Sequence, residues 1–478
     1  MRLPNFQMTL SKEEYHMKPI RTITFVVVFA SLLLAACGPA ATPVPTPPPP
    51  PPTAAPTEAP VVTQAPTEAP RPRLSCATPI KIGLITDASG ALAIYGAHIL
   101  RSFMLGMEYA TGNVGSAGAK FTLAQTQQNT FLYEDCIIQV FARDDASTPD
   151  NTATLARELI DVQKVNLLVG TVSSAATATL QGIALESKIP LIVAPAAAND
   201  ITGVNFNEYT FRVSRNSYQD AMNECLYLVK QYKTFVQIAP DYGFGRGSAA
   251  AFRDACTLGG GTFVADDIFA PLATTDFTPY MEQIAASGAE AYIVTWAGAG
   301  FAAMMQAAAD QGVTDTMSLG ATFIDNALMP LFFGNAVGAT SGILYHYSAP
   351  QNLANDFLKA QDKARYGVMP DLFDADGMNA AIFAIEAIKA AAGDVSGAAL
   401  KAVMEGMTFE GPKGTVYIRP EDHVAIQDMY ILKLLNVTDP DANFYEYVET
   451  TRPEPPCLLP EALKARCGSL PYGNLSGK

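Results

Sequence analysis

Beyond about residue 77 the apolar positions follow two alternating rhythms. Short continuous apolar runs, long enough for strands buried on both faces, alternate with stretches where apolar residues recur every three to four positions, the spacing of one helix face. Residues 80–86 predict a strand and 96–110 a helix, with Ile99, Phe103, Met107 and Ala110 along one side. Strands at 136–141, 166–170 and 191–194 and helices at 152–162 and 175–187 continue the series. After Phe211 the rhythm restarts: helices at 218–231, 247–258, 277–286 and 301–311 alternate with strands at 235–239, 262–269, 291–296 and 318–321. A strand at 343–347, helices at 353–365, 378–391 and 398–407, and strands at 414–419 and 425–434 complete it. Repeated βαβ units specify parallel sheets covered by helices on both faces, so the fold class is α/β, with two doubly wound, Rossmann-like lobes. Ligands of such sheets lie at the carboxyl ends of the strands, and two lobes facing each other enclose a cleft.

The pattern before residue 77 is different. A basic stub precedes an apolar run at 23–34, and Leu34-Ala35-Ala36-Cys37-Gly38 follows. This resembles the lipobox of bacterial lipoproteins, in which the signal is cut and the new N-terminal Cys37 carries acyl chains, palmitate among them, with roughly 0.8 kcal/mol of membrane affinity per buried methylene. The run is shorter than the roughly 20 residues that cross a bilayer as a helix. Met17-Lys18-Pro19-Ile20-Arg21 makes a shorter and more basic start than the upstream stretch with Glu13 and Glu14, and on that reading residues 1–16 are not translated. From Gly38 to Ser75 the chain holds 14 of its 34 prolines and repeats Pro-Thr-Glu-Ala-Pro at 56–60 and 66–70. That density favours extended polyproline II, with a reach of up to about 120 Å. The expected organisation is a signal at 1–36, a lipidated tether at 37–76, and a globular remainder.

That remainder exceeds one ordinary core, which also argues for two lobes. The net charge of -15 and pI near 4.7 argue against nucleic acid and anionic membrane surfaces as partners. Besides Cys37 there are six cysteines, Cys76, Cys136, Cys225, Cys256, Cys457 and Cys467; an even count in an exported chain suggests disulfides. Pairing them in order keeps each bridge local, although six cysteines allow 15 connectivities and the sequence does not choose. No Cys-x-x-Cys is present, so neither a zinc site nor a redox pair is favoured, and no metal or cofactor is expected.

Strand-end residues carry a family resemblance. Gly83-Leu84-Ile85-Thr86-Asp87-Ala88-Ser89-Gly90 with Tyr95-Gly96, then Leu168-Val169-Gly170-Thr171-Val172-Ser173-Ser174, then Ile189 through Ala197, resemble first-lobe loops of the leucine/isoleucine/valine-binding protein family. Asp241-Tyr242-Gly243-Phe244-Gly245 and Thr275-Asp276-Phe277-Thr278-Pro279-Tyr280 resemble its second-lobe landmarks. Together these cover about residues 79–434 in order. The resemblance implies a type 1 periplasmic-binding-protein fold, two lobes joined by a three-crossover hinge that close on a small solute and are recognised by the permease of an ATP-driven importer. It assigns 77–206 with about 343–425 to one lobe, 207–342 with about 426–450 to the other, and leaves 451–478 as a tail.

Carried over, Ser173, Ser174 and the backbone of Ala196, Ala197 and Ala198 bind a solute carboxylate, and Tyr95 and Tyr242 line the pocket. Hydroxyls and backbone amides at a helix N-terminus satisfy an anion without a buried lysine or arginine. N-capping of the helix at 175 explains Ser173 and Ser174 equally. Trp296, the chain's single tryptophan, ends a strand and is read as an aromatic wall, with a core cap as the alternative. Where the family often has a threonine, this chain has Ala198, and the family's ammonium-pairing glutamate falls near Thr322, with Asp325 three residues on. The expected function is capture of an amino acid, branched-chain or other, or a related carboxylate, by a membrane-anchored, extracytoplasmic protein.

Enzyme readings find little support. Gly-x-Ser-x-Gly, His-Glu-x-x-His and Walker A patterns are absent. Gly243-Phe244-Gly245-Arg246-Gly247 has the wrong spacing for a dinucleotide loop. His98, His346 and His423 read as structural, and Asp144-Asp145 as a turn cap. Two alternatives remain: a sensor of the same fold that signals to a receptor, and a lipoprotein enzyme with an unrecognised carboxylate site.

Overall fold

The computed structural model describes residues 73–118, 126–321 and 325–477. The signal, Cys37, most of the tether, and Thr322 lie outside the described residues.

The first lobe runs β1 (Ile80–Thr86), α1 (Ala93–Thr111), β2 (Thr126–Tyr133), β3 (Cys136–Asp144), α2 (Pro149–Glu158), β4 (Leu167–Val169), α3 (Ser174–Ser187), β5 (Leu191–Val193) and β6 (Thr210–Arg212). Its sheet has the order β2-β3-β1-β4-β5-β6. All neighbours are parallel except the β2/β3 hairpin. The inner strands are buried along their length, which is why they read as unbroken apolar runs.

The second lobe contains α4 (Ser217–Gln231), β7 (Thr234–Pro240), α5 (Gly243–Leu258), β8 (Thr262–Phe263), β9 (Ile268–Ala270), α6 (Thr278–Ala286), β10 (Ala291–Val294), α7 (Phe301–Asp310), α8 (Val313–Thr316), β11 (Ser318–Ala321), α9 (Met329–Phe332) and β12 (Thr340–Ile343). Its parallel sheet is ordered β11-β10-β7-β8, with β9 also on β7. The chain returns to the first lobe through α10 (Leu353–Tyr366), α11 (Asp374–Ala390), α12 (Gly397–Met404) and the small sheet β13 (Thr408–Gly411), β14 (Gly414–Ile418) and β15 (Ala425–Ile426). It crosses a third time into β16 (Met429–Leu434) and β17 (Tyr445–Thr451); β16 pairs with β12 on one side and with β17 on the other, in an antiparallel sheet of order β12-β16-β17.

α11 closes the first lobe by lying against α1. An added Cβ on Gly377 would sit 2.1 Å from the Ser102 hydroxyl oxygen, and one on Gly106 would sit 2.8 Å from the Ala381 Cβ. These two glycines let the helix backbones approach where any side chain would hold them apart.

The crossovers are polar and buried. Arg212 and Arg215 leave β6 and point inward, and Asp220, Asp376 and Lys413 are buried with them. Arg215 Nε is 3.2 Å from Asp220 Oδ1. Burial, reinforced by the like charge of Arg215, lowers the Arg212 guanidinium to about 9, and burial lowers Lys413 to about 8.

Of the possible disulfide pairings, the structure has Cys76–Cys136, Cys225–Cys256 and Cys457–Cys467. The second joins α4 to α5. The third closes the tail, whose Leu459, Leu463, Leu470 and Tyr472 pack with Phe206.

Some elements depart from expectation. β2, β6, β13 and β17 were not predicted: β2 is an edge strand of mostly polar residues and β6 has three residues, so neither carries a usable periodic signal. The apolar stretch 343–347 is strand only to Ile343; Leu344 to Tyr347 are buried as a crossover loop. The stretch 262–269 breaks between β8 and β9 near Asp267, which receives Gln237 Nε2 at 2.6 Å and Arg253 Nη2 at 2.5 Å. β6 pairs with β5, so the first sheet extends past residue 206 to Arg212.

Candidate functional site

The ends of β1, β4 and β5 face those of β7 and β10 across a cavity of about 30 Å³. Its wall combines Leu92, Tyr95, Val172, Ser174, Pro195, Ala196, Ala197 and Phe373 with Tyr242, Phe244 and Ala297 of the second lobe and Arg215 of the first crossover.

Tyr95 is placed by a turn that Asp87 organises. Asp87 Oδ1 accepts from the N–H groups of Gly90 (2.5 Å) and Ser89 (3.1 Å), and Oδ2 from Leu92 N–H (2.9 Å) and the Ser147 hydroxyl (2.6 Å). A Cβ on Gly96 would lie 1.6 Å from the Asp87 carbonyl oxygen, so α1 starts this close to β1 only with glycine there. The Tyr95 ring stands edge-on to Phe373 at 5.0 Å, and its hydroxyl accepts from Gly298 N–H of the second lobe at 3.3 Å. Burial, with the Asp325 charge nearby, raises its phenol well above the ordinary range.

Ser173 and Ser174 divide the work at the N-terminus of α3. Ser173 is the N-cap, its hydroxyl oxygen accepting from Ala176 N–H at 3.5 Å. Ser174 reaches the cavity wall, and its hydroxyl oxygen accepts from Ala198 N–H at 3.2 Å, tying α3 to the loop after β5. That loop is held from behind by cations. Arg215 Nη1 donates to the Pro195 carbonyl (2.7 Å), Arg212 Nη1 to that of Ala196 (2.5 Å), and Arg212 Nη2 to that of Ala198 (2.6 Å). The Ala197 carbonyl accepts from Ser217 N–H at 2.9 Å.

The structure therefore brings Tyr95, Ser174, Ala196, Ala197 and Tyr242 to one wall, with Ser173 and Ala198 immediately behind it. It does not bring Trp296 there. That indole is fully buried in the second-lobe core, edge-on to Phe277 at 5.0 Å, with Nε1 donating to the Ala299 carbonyl at 3.1 Å. Ala297 takes the wall position instead, because β10 ends two residues before Trp296 and the strand alternation no longer applies there. Asp325 is also off the wall. It is buried behind Tyr95, whose phenol donates to it, and burial lifts its carboxyl to about 6.

Sequence reasoning missed Arg215, Phe373, Phe244 and Leu92. The expectation of an anion site without buried arginine is corrected by Arg215, whose guanidinium stacks over Phe373 at 5.1 Å and also lines the cavity. The sequence holds two closely spaced cations there, Arg212 at the end of the short buried β6 and Arg215 three residues on. Phe373 had no such signal, being far along the chain.

The readings of Asp144-Asp145 and of the glycine-rich stretch match their surroundings. Asp144 Oδ1 accepts from Ala88 N–H at 2.8 Å and Asp145 Oδ1 from Ser147 N–H at 2.9 Å, so both brace loops. Gly245 lies where a Cβ would be 1.9 Å from the Pro240 carbonyl oxygen, a close β7-to-α5 approach. A larger cavity, about 330 Å³, sits inside the second lobe between β11 and β12, away from the facing strand ends. Buried Glu224 borders it and is lifted to about 8 by that burial.

A family model described as periplasmic binding protein matches residues 79–438. The chain belongs to the periplasmic binding protein family. Members of this family that serve ABC transporters are solute-binding proteins. A curated relative, Leu/Ile/Val-binding protein homolog 6 of Brucella melitensis, is 25% identical over 372 residues, 76% of this chain and 89% of its own. Among solved structures, an ABC-type branched-chain amino acid transporter protein from Rhodopseudomonas palustris is 32% identical with a TM-score of 0.63, over 78% of this chain and 96% of that one. A second Rhodopseudomonas palustris protein, an ABC transporter solute-binding protein in complex with 3,4-dihydroxybenzoic acid, is 27% identical with a TM-score of 0.67, covering 78% and 97%. The leucine/isoleucine/valine-binding resemblance read from the strand-end loops and the type 1 fold both hold. No helix among the described residues is long and apolar enough to cross a membrane.

Proposed function

We propose that this periplasmic binding protein is held at the extracytoplasmic membrane face by lipid on Cys37, captures a small carboxylate with an apolar body between its lobes, and delivers it to the permease of an ABC importer. The observation that carries the solute class is the composition of the wall. Arg215, the Ser174 hydroxyl and the loop of Pro195, Ala196 and Ala197 form its polar side, and Leu92, Val172, Tyr95, Tyr242, Phe244 and Phe373 most of the rest. Each carbonyl of that loop already accepts a hydrogen bond from Arg212, Arg215 or Ser217, and Ala196 and Ala197 carry the N–H donors from which an anion accepts.

Branched-chain amino acids are the first solutes to test, given the relatives above. A second reading, aromatic acids, is favoured by a specific observation: no acidic side chain is among the lining residues, so an ammonium group has no carboxylate partner on the described wall. In that reading Asp325 acts only through Tyr95.

Thermal melting with leucine, isoleucine, valine, benzoate, 4-hydroxybenzoate and leucinamide tests the class. A solute at a hundred times its Kd stabilises the folded state by about 2.7 kcal/mol, a rise of a few degrees or more in Tm. The expected result is a shift by at least one free carboxylate and none by leucinamide. A shift by leucinamide alone, or by no carboxylate, overturns the carboxylate reading.

A further inference from the structure

We propose that His98, Asp325 and Asp371 form a divalent-cation site that clamps the two lobes together beside the solute cavity. The three residues are far apart in sequence and come from different parts of the fold. His98 lies on α1 and Asp371 just before α11, both in the first lobe, while Asp325 follows β11 in the second. Each offers one donor atom, and the three atoms lie within 4.8 Å of one another.

Two of these groups are buried with one polar atom each left without a hydrogen bond, although Tyr95 donates to the Asp325 carboxylate. His98 is 6% exposed and its Nδ1 has no hydrogen bond; Asp325 is 1% exposed and its Oδ1 has none. An unsatisfied buried polar atom is costly, and a single cation between the nitrogen and the oxygen satisfies both. Among the described residues no Lys or Arg ion-pairs with Asp325 or Asp371. The neighbouring Asp362 and Asp374, by contrast, share Arg101.

One imidazole and two carboxylates are the donor set of zinc and the other first-row divalent ions. The third ligand is already oriented from behind. Asp371 Oδ1 accepts from Leu372 N–H at 2.8 Å, and Oδ2 from Asn326 N–H at 3.0 Å, a second-lobe amide next to Asp325. Such backbone donors fix the orientation of a carboxylate, as outer-shell partners do for metal ligands. Tetrahedral ligands at about 2.0–2.1 Å from zinc are roughly 3.3 Å apart, so modest side-chain rotation closes the set. An ion held by both lobes favours the closed arrangement that also encloses a solute, and by linkage each tightens the other.

The test needs no solute, so its result is independent of the carboxylate reading. Full-length chain is stripped with chelator and titrated with Zn2+ alone by calorimetry, with melting followed in parallel. One saturable site and a raised Tm are expected, with affinity falling about a hundredfold or more in His98→Ala and in Asp325→Asn. Absence of saturable binding, or undiminished affinity in both variants, overturns the site. If a variant fails to fold, Co2+ added to the unaltered chain decides: intense visible absorption of a low-coordinate ion supports the site, and the spectrum of the aquo ion overturns it.

Discussion

Ser174 and Trp296 are two residues that a strand-end reading treats alike and the structure separates. The Ser174 hydroxyl faces the cavity and receives Ala198 N–H, so Ser174→Ala leaves a buried donor unpaired and removes a polar contact for solute. We expect solute affinity to fall about tenfold, with folding stability lowered by about 1–2 kcal/mol. Trp296→Ala should do the reverse. It empties a core position against Phe277, with an expected loss of about 3–5 kcal/mol in urea denaturation and solute affinity changed less than threefold in the folded variant. A large loss of affinity with stability intact would return Trp296 to the site. Arg215 adds the lesson that a cation three residues after a short buried strand is a constrained one, holding the Pro195 carbonyl and Asp220 together.

At the scale of elements, the crossover between β12 and α10 carries a buried histidine. His346 Nε2 is 2.9 Å from the Ala442 carbonyl and Nδ1 2.7 Å from the Ser348 hydroxyl, so the fitting tautomer is neutral with the proton on Nε2. The rings of Tyr347 and Tyr445 cover it. Burial lowers the imidazole from 6.5 to about 4. Because the folded value is depressed, its contribution to stability is present above 6.5, declines as pH falls below 6.5, and is gone below about 4. The whole effect is about 3 kcal/mol. Denaturation at stepped pH should show His346→Gln with a shallower acid loss than the unaltered chain across that window; parallel curves would refute the assignment. Glu224 and Asp376, both raised by burial, change stability in the opposite sense with pH, so the comparison between the two chains is the informative quantity.

For the whole molecule the question is where the captured solute is released. On the proposed function, the capture domain stays near a membrane because the tether is anchored, with Cys37 in Leu-Ala-Ala-Cys-Gly as the thiol offered for lipid. Expressed in a bacterial host, Cys37→Ser should move from the membrane fraction to the soluble extracytoplasmic fraction, and the unaltered mature chain should gain the mass of acyl groups. An unmodified Cys37, or membrane association that survives Cys37→Ser, would remove the anchor. The three disulfides fit the same exported setting, one of them tying α4 to α5 across the second lobe.

The alternation of apolar runs and helical periodicity was enough to place most helices and inner strands, because each is buried along one continuous face that leaves its period in the chain. Edge and three-residue strands such as β2 and β6 left no such trace, and the apolar stretch 343–347 misled because a buried crossover and a buried strand need the same residue types. Of the residues that line the cavity, Tyr95, Ser174, Ala196, Ala197 and Tyr242 were legible as strand-end loops. Arg215 and Phe373 on the wall, Trp296 turned into the core, and the meeting of His98, Asp325 and Asp371 were decided only by tertiary structure. Contacts between segments hundreds of residues apart leave no local period; they exist once three crossovers and the packing of α11 on α1 bring the two lobes face to face.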